Sequence, residues 1–193
     1  MAYFITIEIE YQLKRQIGKR MKKVLIINTG GTFNKIYNPL TGLLDIDTKE
    51  TALNQISKAW INPLEVINII NKDSLDMTQK DRLLILKTVQ KSSFERIIII
   101  HGTDTMDQTA QYLYEKKLEK MIILTGAMVP FSINPIEATA NFASAYGFLQ
   151  GLNKHGVFIA MNGKIELHQI LKKNRERGYF ELKEPNSTTA QSE

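Results

Sequence analysis

Cysteine is absent from this 193-residue chain, and its absence removes several kinds of chemistry at once. No disulfide can stabilise the fold, no thiolate can bind zinc, and no thiol can act as a nucleophile. A chain without disulfides is typical of a reducing compartment, so the sequence predicts a cytoplasmic protein. Histidine is scarce too: His101, His155 and His168 are the only three, and their spacing does not match a metal site.

Long apolar runs are also missing. The longest, "IIII" from Ile97 to Ile100, has the length of a buried strand, whereas a membrane-spanning helix needs roughly 20 apolar residues. At 43% hydrophobic, the chain still has enough apolar residues to build a core of its own. These features predict one soluble domain that makes no use of a membrane.

The formal charge of +5 is not arranged as a nucleic-acid-binding surface. Residues 1–20 hold four basic and two acidic side chains, and no later segment combines dense lysine and arginine with aromatic residues. Those first residues precede "MKKVLI" at Met21, which looks like a natural protein start, and they lack the order of a secretory signal. Our hypothesis is that residues 1–20 are an extension outside the core domain, as an overcalled start codon would produce.

From Met21 onward, short apolar runs alternate with helical patterns. The candidate strands, rich in isoleucine and valine, are "KVLIIN", "EVINII", "RIIIIH", "KMIILT" and "GVFIAM". Helices are predicted between them over residues 48–60, 78–92, 105–118 and 135–152. Continuous apolar strands joined by helices belong to a parallel sheet covered on both faces. We therefore predict a doubly wound α/β domain over residues 21–165, with a mostly parallel sheet in a flavodoxin- or Rossmann-like three-layer arrangement.

The remainder, residues 166–193, is predicted to be a basic polar tail. Within it, "ILKKNRERGYF" at residues 170–180 is predicted as a helix. The final "PNSTTAQSE" has the composition of a disordered segment.

Polar residues follow the predicted strands directly, and ligands of doubly wound sheets bind at that edge. The segments concerned are Thr29 to Thr32, Asp73 to Asp76, His101 to Thr105 and Thr125 to Met128. Hydroxyls and carboxylates from separate strands should therefore converge on a small-molecule site. The turn "TGGTF" lacks the lysine and hydroxyl residue of a phosphate-binding loop and the third glycine of a dinucleotide motif, which argues against a phosphate ligand.

Each residue of this edge also has a purely structural interpretation. Thr32 can cap a turn, Asp104 can cap the helix predicted to begin near Thr105, and Ser74 can belong to an ordinary turn. His101 can be a hydrogen-bonded core histidine. The individual residues therefore leave the function open.

Together, "TGGTF", "DSLDMT", "HGTDTM", "ILTGAMVP" and "GVFIAMN" resemble, in this order, the N-terminal domain of the bacterial-type L-asparaginase/glutaminase family. The resemblance extends over residues 22–164. It implies hydrolysis of the side-chain amide of L-asparagine, and possibly L-glutamine, to the acid and ammonia, without a metal or organic cofactor. Thr32 would be the nucleophile and Thr103 the second catalytic threonine. Four residues would contact the substrate: Gly31, Ser74, Thr103 and Asp104. Asp104 would bind the ammonium group of the substrate, and Ser74 would bind the carboxylate of the substrate.

The family also implies two further groups, a loop tyrosine that activates the nucleophile and a lysine paired with the second threonine. Tyr37, in "NKIYNPLTGLL", is the candidate tyrosine, on a segment that Pro39 and Gly42 mark as a hinge or lid. For the lysine, counting along the chain gives Gln150 or Leu152, and the nearest lysine is Lys154. We therefore assign Lys154 to that role.

Two departures from the family pattern concern the edges of the site. Val129 follows "GAM" where the family has arginine, which we interpret as a structural change. Full family members carry a second domain that completes the site of a neighbouring subunit. Here a homodimer or a higher oligomer is expected, in which Glu166 or Glu181 of a partner would supply the acid. The alternatives to an asparaginase are an amino-acid-binding regulatory module and an amidase component acting on a larger amide.

Overall fold

The computed structural model describes residues 21–183, and a six-stranded sheet runs through its centre. The strands are β1 Val24–Gly30, β2 Lys35–Asn38, β3 Leu43–Ile46, β4 Glu65–Lys72, β5 Arg96–Ile100, β6 Met121–Thr125, β7 Gly156–Met161, β8 Lys164–Leu167, β9 Leu171–Asn174 and β10 Tyr179–Leu182. The helices are α1 Thr51–Trp60, α2 Gln79–Lys91, α3 Met106–Tyr114 and α4 Pro135–Gly151. The predictions for residues 1–20 and for the final segment lie outside the described residues.

The five predicted strands form the parallel part of the sheet, as expected. The strand order is β4-β1-β5-β6-β7-β8, and only β8 pairs antiparallel. The chain passes from β1 to β4 on one side and then crosses to β5 on the other. This change of direction leaves a crevice beyond the carboxyl ends of β1 and β5, where doubly wound sheets bind their ligands.

Side chains alternate along the strands between two apolar cores, one on each face of the sheet. Leu25 and Ile27 face the core covered by α2 and α3, whereas Val24 and Ile26 face the core covered by α1 and α4. All four predicted helices are present, with ends within a few residues of the predicted bounds. The result is the predicted three-layer α/β arrangement.

The predicted helix at residues 170–180 is wrong, because this segment forms the antiparallel hairpin of β9 and β10. Leu171 and Phe180 are fully buried in the core on the α3 side of the sheet. The prediction of a loose polar tail from residue 166 is therefore also wrong as far as Lys183, since β8 extends the sheet and the hairpin packs on it. The side chains of this segment follow the period of two residues that is typical of a strand, and not the period of 3.6 residues that is typical of a helix.

None of the helices in residues 21–183 is long and apolar enough to cross a membrane.

Candidate active site

Two glycines let the loops after β1, β4 and β5 touch at the crevice. Gly31 donates its backbone N–H to the carbonyl of Lys72 at 2.9 Å. A Cβ atom on Gly31 would lie 2.5 Å from the backbone of Gly102, and one on Gly102 would lie 2.7 Å from the Ser74 side chain. The sequence therefore needs glycine at both positions to bring the three predicted segments together.

Gly31→Ala is expected to destabilise the fold by about 2 kcal/mol or more. Gly31 has φ 75° and ψ −178°, a conformation that residues with a side chain avoid, and it has no space for a methyl group. Gly147→Ala is the matched control, because Gly147 lies within α4 with open space around it. This control should stabilise the protein by about 0.5 kcal/mol. Urea unfolding of both variants measures the difference, and equal stabilities would contradict the contact.

Thr32 begins a short 3-10 turn that directly follows Gly31. The next two residues, Phe33 and Asn34, are buried, and the Asn34 amide donates to the Asn28 side chain and to the carbonyl of Gly30. The turn is thus fixed from below while Thr32 stays half-exposed. Among the described residues, no group donates a hydrogen bond to the Thr32 hydroxyl or accepts one from it. This oxygen is therefore available for chemistry.

Thr103 is paired with a lysine, although not with the predicted one. The Lys173 ammonium donates to Oγ1 of Thr103 at 2.9 Å and to Oδ1 of Asp104 at 2.8 Å. Lys173 lies on β9 opposite Phe180, so its aliphatic part runs along the buried face of the hairpin and its charge emerges at the loop after β5. Its side chain is only 12% exposed.

Lys154 does not belong to this cluster, and the prediction that it pairs with Thr103 is wrong. It is exposed in the loop between α4 and β7, at the amino ends of the parallel strands. Thr103 follows the carboxyl end of β5, which places the two residues about 15 Å or more apart along the strand direction. Gln150, the alternative by counting, accepts from the backbone of Lys22 near the same far edge.

Asp104 and Ser74 lie in contact, as the converging loops predict. Oγ of Ser74 accepts from the backbone N–H of Asp104 at 3.1 Å, and Thr105 donates its hydroxyl to the carbonyl of Ser74. Ser74 is fully buried, whereas the Asp104 carboxylate is 32% exposed beside Lys173. Asp104 can therefore meet a ligand directly, while Ser74 lies beneath the loop.

Tyr37 lies on a two-stranded hairpin, β2 and β3, which projects from the rim after the Thr32 turn. It pairs with Leu44 across the hairpin and is 61% exposed. Gly42 takes a positive φ of 72° in the turn, which closes on the carbonyl of Asn38. The segment predicted as a hinge or lid is thus an ordered hairpin, and its tyrosine hydroxyl has no hydrogen-bond partner among residues 21–183.

His101 is a buried core histidine, one of the two interpretations that the sequence leaves open. Its Nδ1–H donates to the carbonyl of Gly102 at 2.7 Å, and the Thr109 hydroxyl lies 2.8 Å from Nε2. Arg82 donates to the same Thr109 hydroxyl at 3.2 Å. A carbonyl can only accept, so Nδ1 carries a proton, and burial of the ring disfavours a second proton on Nε2. Burial lowers the pKa of His101 to about 4.

The buried histidine predicts a fall in stability at mildly acidic pH. The ordinary histidine pKa is 6.5, so between pH 6.5 and about 4 the unfolded chain binds a proton that the folded chain does not. The free energy of unfolding should therefore decrease as pH falls, by up to about 1.4 kcal/mol per pH unit for this residue. His168, whose pKa burial also lowers, adds to the slope.

Urea unfolding between pH 4 and 7 measures this dependence. His101→Gln should reduce the slope even if the variant is less stable overall. A wild-type stability that is constant over this range would contradict the neutral buried ring.

Three further residues singled out in the sequence are Val129, Glu166 and Glu181, and the structure describes the surroundings of each. Val129 is partly exposed, and its backbone N–H donates to the Glu137 carboxylate at the start of α4, in keeping with a structural role. Glu166 lies on β8 opposite Ile159, and Glu181 accepts from Asn174 within its own hairpin. Within residues 21–183, no three histidine, aspartate or glutamate side chains come close enough to hold a metal ion.

Known proteins resemble the chain over most of its length. The model of the family "Asparaginase, N-terminal" matches residues 23–191. A probable periplasmic L-asparaginase from Haemophilus influenzae is 30% identical over 158 residues, which is 75% of this chain and 44% of that protein. One subunit of a glutamyl-tRNA(Gln) amidotransferase from Methanococcus vannielii is 30% identical over 163 residues, or 80% of this chain and 37% of that protein.

A solved structure agrees with the fold. A probable cytoplasmic L-asparaginase from Campylobacter jejuni superposes with a TM-score of 0.69 at 26% identity, over 80% of this chain and 50% of that one. The chain therefore spans half or less of the length of these relatives.

Proposed function

The chain belongs to the asparaginase family, and from this premise we propose that it hydrolyses the side-chain amide of L-asparagine, and more slowly that of L-glutamine, through Thr32. Relatives with asparaginase names support the amidohydrolase class. The observation that carries the proposal is the contact of Lys173 with Thr103 and Asp104, because this ammonium is the cation that the family pattern pairs with the second threonine.

The first step asks for a threonine hydroxyl that can reach a substrate carbonyl. Thr32 is half-exposed on a turn held by buried neighbours, so its hydroxyl can approach the amide carbon with little loss of freedom. Attack forms the ester bond to Thr32 and the hydroxyl proton passes to the amide nitrogen, so that collapse of the tetrahedral intermediate breaks the carbon–nitrogen bond and releases ammonia. Backbone N–H groups of the loop around Thr103 would stabilise the oxyanion.

The second step needs activation of water. The ammonium group of Lys173 favours the deprotonated form of the Thr103 hydroxyl, because an adjacent positive charge stabilises a developing negative one. Thr103 can then transfer a proton between the reacting groups while water attacks the ester. Aspartate leaves, and the Thr32 hydroxyl is restored. Neither step uses a metal or an organic cofactor.

Substrate recognition divides between a charged and an uncharged group. The Asp104 carboxylate has one oxygen on Lys173 and remains partly exposed, so it can also bind the ammonium of the substrate. The Ser74 hydroxyl, which accepts from Asp104, would donate its own proton toward the substrate carboxylate. Tyr37 would complete the site if the hairpin of β2 and β3 closes over Thr32, a motion typical of lids.

A second candidate is an amidase component acting on a larger amide. The amidotransferase subunit from Methanococcus vannielii and the periplasmic asparaginase are both 30% identical to this chain. The chain covers 37% of the subunit and 44% of the asparaginase. Co-purification with a second subunit would support this candidate over a free-standing asparaginase.

The proposal is tested by comparing amides with the purified chain. Ammonia release is measured with L-asparagine, L-glutamine and an aliphatic amide that lacks the α-ammonium and α-carboxylate groups. We expect the order asparagine, then glutamine, with no measurable turnover of the aliphatic amide. If asparagine raises the melting temperature without any ammonia release, the chain is a binding module instead.

A further inference from the structure

Arg82, on α2, is a buried cation without a carboxylate partner. Its side chain belongs to a residue that is 8% exposed, and it forms no ion pair within residues 21–183. The guanidinium instead donates to the Thr109 hydroxyl, the carbonyl of Met77 and the Gln108 side chain, each at 3.2 Å. A buried charge costs free energy that an apolar side chain would not cost. The hydrogen bonds of Arg82 therefore point to a role beyond packing.

The Thr109 hydroxyl connects Arg82 to the His101 ring, and it does so in one direction. Arginine can only donate, so the Thr109 oxygen accepts from Nε of Arg82. The hydroxyl proton is then free to go to Nε2 of His101, 2.8 Å away. At the other ring nitrogen, Nδ1–H donates to the carbonyl of Gly102 at 2.7 Å. The hydrogen bonds thus run from Arg82 through Thr109 and His101 to Gly102.

The opposite direction would need a second proton on Nε2. Sδ of Met77 lies 3.1 Å from this nitrogen and could accept such a proton, although sulfur is a weak acceptor. Because Nδ1 already carries a proton, the ring would then be cationic. Burial, and to a smaller extent the charge of Arg82, lower the pKa of His101 to about 4, against the effects of the bond to Gly102 and of the Asp107 carboxylate. At neutral pH the ring therefore takes up no second proton.

These hydrogen bonds end on the peptide that joins Gly102 to Thr103. This peptide is trans, so its C=O and N–H groups point in opposite directions. Because the fully buried His101 ring binds the carbonyl of Gly102, the N–H of Thr103 points away from the ring. No group within residues 21–183 accepts a hydrogen bond from this N–H. It is therefore free to donate to an oxygen atom that approaches the loop.

We infer that Arg82 and Thr109 are positioning residues, which hold His101 in the tautomer that keeps the N–H of Thr103 free for the oxyanion. This inference rests on the proposed amidohydrolase function. A proton on Nε2 alone would place a bare Nδ1 against the carbonyl of Gly102, and the two electron-rich atoms would repel each other and turn the peptide. A donor stabilises the oxyanion only while it stays directed at the developing charge.

The first test compares two variants of Thr109, which is fully buried. Valine keeps the shape of threonine without the hydroxyl, whereas serine keeps the hydroxyl without the methyl group. Thr109→Val should lower kcat for L-asparagine roughly tenfold to a hundredfold with KM nearly unchanged, less than the loss of a whole oxyanion donor. Thr109→Ser should retain most of the activity. If Thr109 only fills space, valine is the milder change, and that order of kcat values overturns the inference.

The second test compares Arg82→Met with Arg96→Met. Arg96 is 9% exposed and also donates to carbonyls, those of Leu149 and Leu152, but it lies at the amino end of β5, away from the rim. Arg82→Met should lower kcat by a factor similar to that of Thr109→Val, whereas Arg96→Met should keep kcat even if its melting temperature falls. Equal kcat values in the two methionine variants overturn the inference.

Nitrogen-15 NMR of the imidazole rings keeps the inference separate from hydrolysis, because protonated and bare ring nitrogens differ in chemical shift. The His101 signals are those that His101→Gln lacks. At pH 7 the wild type, Thr109→Ser and Arg96→Met should have a protonated Nδ1 and a bare Nε2. Thr109→Val and Arg82→Met should have a mixture of tautomers, since Nε2–H then finds an acceptor in Met77 or in the Thr109 oxygen that Arg82 no longer occupies.

The two readouts distinguish the possible failures. The expected tautomers without any ammonia release would reject the proposed hydrolysis but support the positioning of the ring. Ammonia release with the same tautomer in every protein, or a wild-type ring with its proton on Nε2, would overturn the roles of Arg82 and Thr109.

Discussion

Lys173→Met is expected to lower kcat for L-asparagine by about 10²- to 10⁴-fold, the range typical of a lost acid–base group. Methionine keeps the unbranched apolar part of the side chain that lies beside Phe180, so the hairpin should stay in place. What disappears is the ammonium group at 2.9 Å from the Thr103 hydroxyl. The measurement is steady-state ammonia release, together with the melting temperature of each protein.

Two lysine variants serve as controls. Lys172→Met changes the neighbouring residue of the same strand. The Lys172 side chain points to the opposite face of the hairpin, where its Nζ lies 3.8 Å from Oε1 of Glu181. Lys154→Met changes the residue that counting along the chain had assigned. Both should retain nearly full activity, because neither ammonium lies at the crevice. A loss of activity in Lys154→Met with normal turnover in Lys173→Met would contradict the role proposed for Lys173.

Thr32→Ala is expected to have the larger effect, a fall in kcat of at least about a thousandfold. The Thr32 hydroxyl makes no hydrogen bond within residues 21–183, so its removal should change the melting temperature little. Aspartate should still raise the melting temperature of the variant, since Asp104 and its neighbours are untouched.

Thr32→Ser provides the matched control for this prediction. Serine keeps a hydroxyl on the same turn and should restore part of the activity that alanine removes. Turnover by Thr32→Ala at a rate close to that of the wild type would show that another group is the nucleophile. Equal losses in the serine and alanine variants would point to the methyl group, and so to packing.

The sequence was sufficient for the central sheet and for most of the rim. Five runs rich in isoleucine and valine became five parallel strands, of which β1, β5, β6 and β7 are buried on both faces and β4 is the partly exposed edge strand. Gly31, Thr103 and Asp104 then had to lie at the carboxyl edge, since they follow those strands directly. The convergence of their loops could be expected from the topology alone.

The lysine that contacts Thr103 could not be found by counting, for a physical reason. Lys173 and Thr103 are separated by 70 residues in the sequence and meet only because the β9 and β10 hairpin folds back over the rim. A signal was present in "LKKNRERGYF". Leu171 and Lys173 are two residues apart and so point to the same face of a strand, and Gly178 indicates a tight turn. The high content of charged residues resembled an exposed helix and concealed that alternation.

The hairpin of β2 and β3 shows the same limit. Pro39 and Gly42 indicated a turn, and the structure has one, but the pairing of Tyr37 with Leu44 depends on two strands too short to be recognised. The exposure of Tyr37 was not visible in the sequence either. Its role in activating Thr32 stays a prediction.

The most direct test of the account is the formation of ammonia and aspartate from L-asparagine by the purified chain at high protein concentration. We predict equimolar amounts of the two products, formed at a rate proportional to the protein concentration. No ammonia above a protein-free blank would contradict the central claim that this rim hydrolyses a side-chain amide.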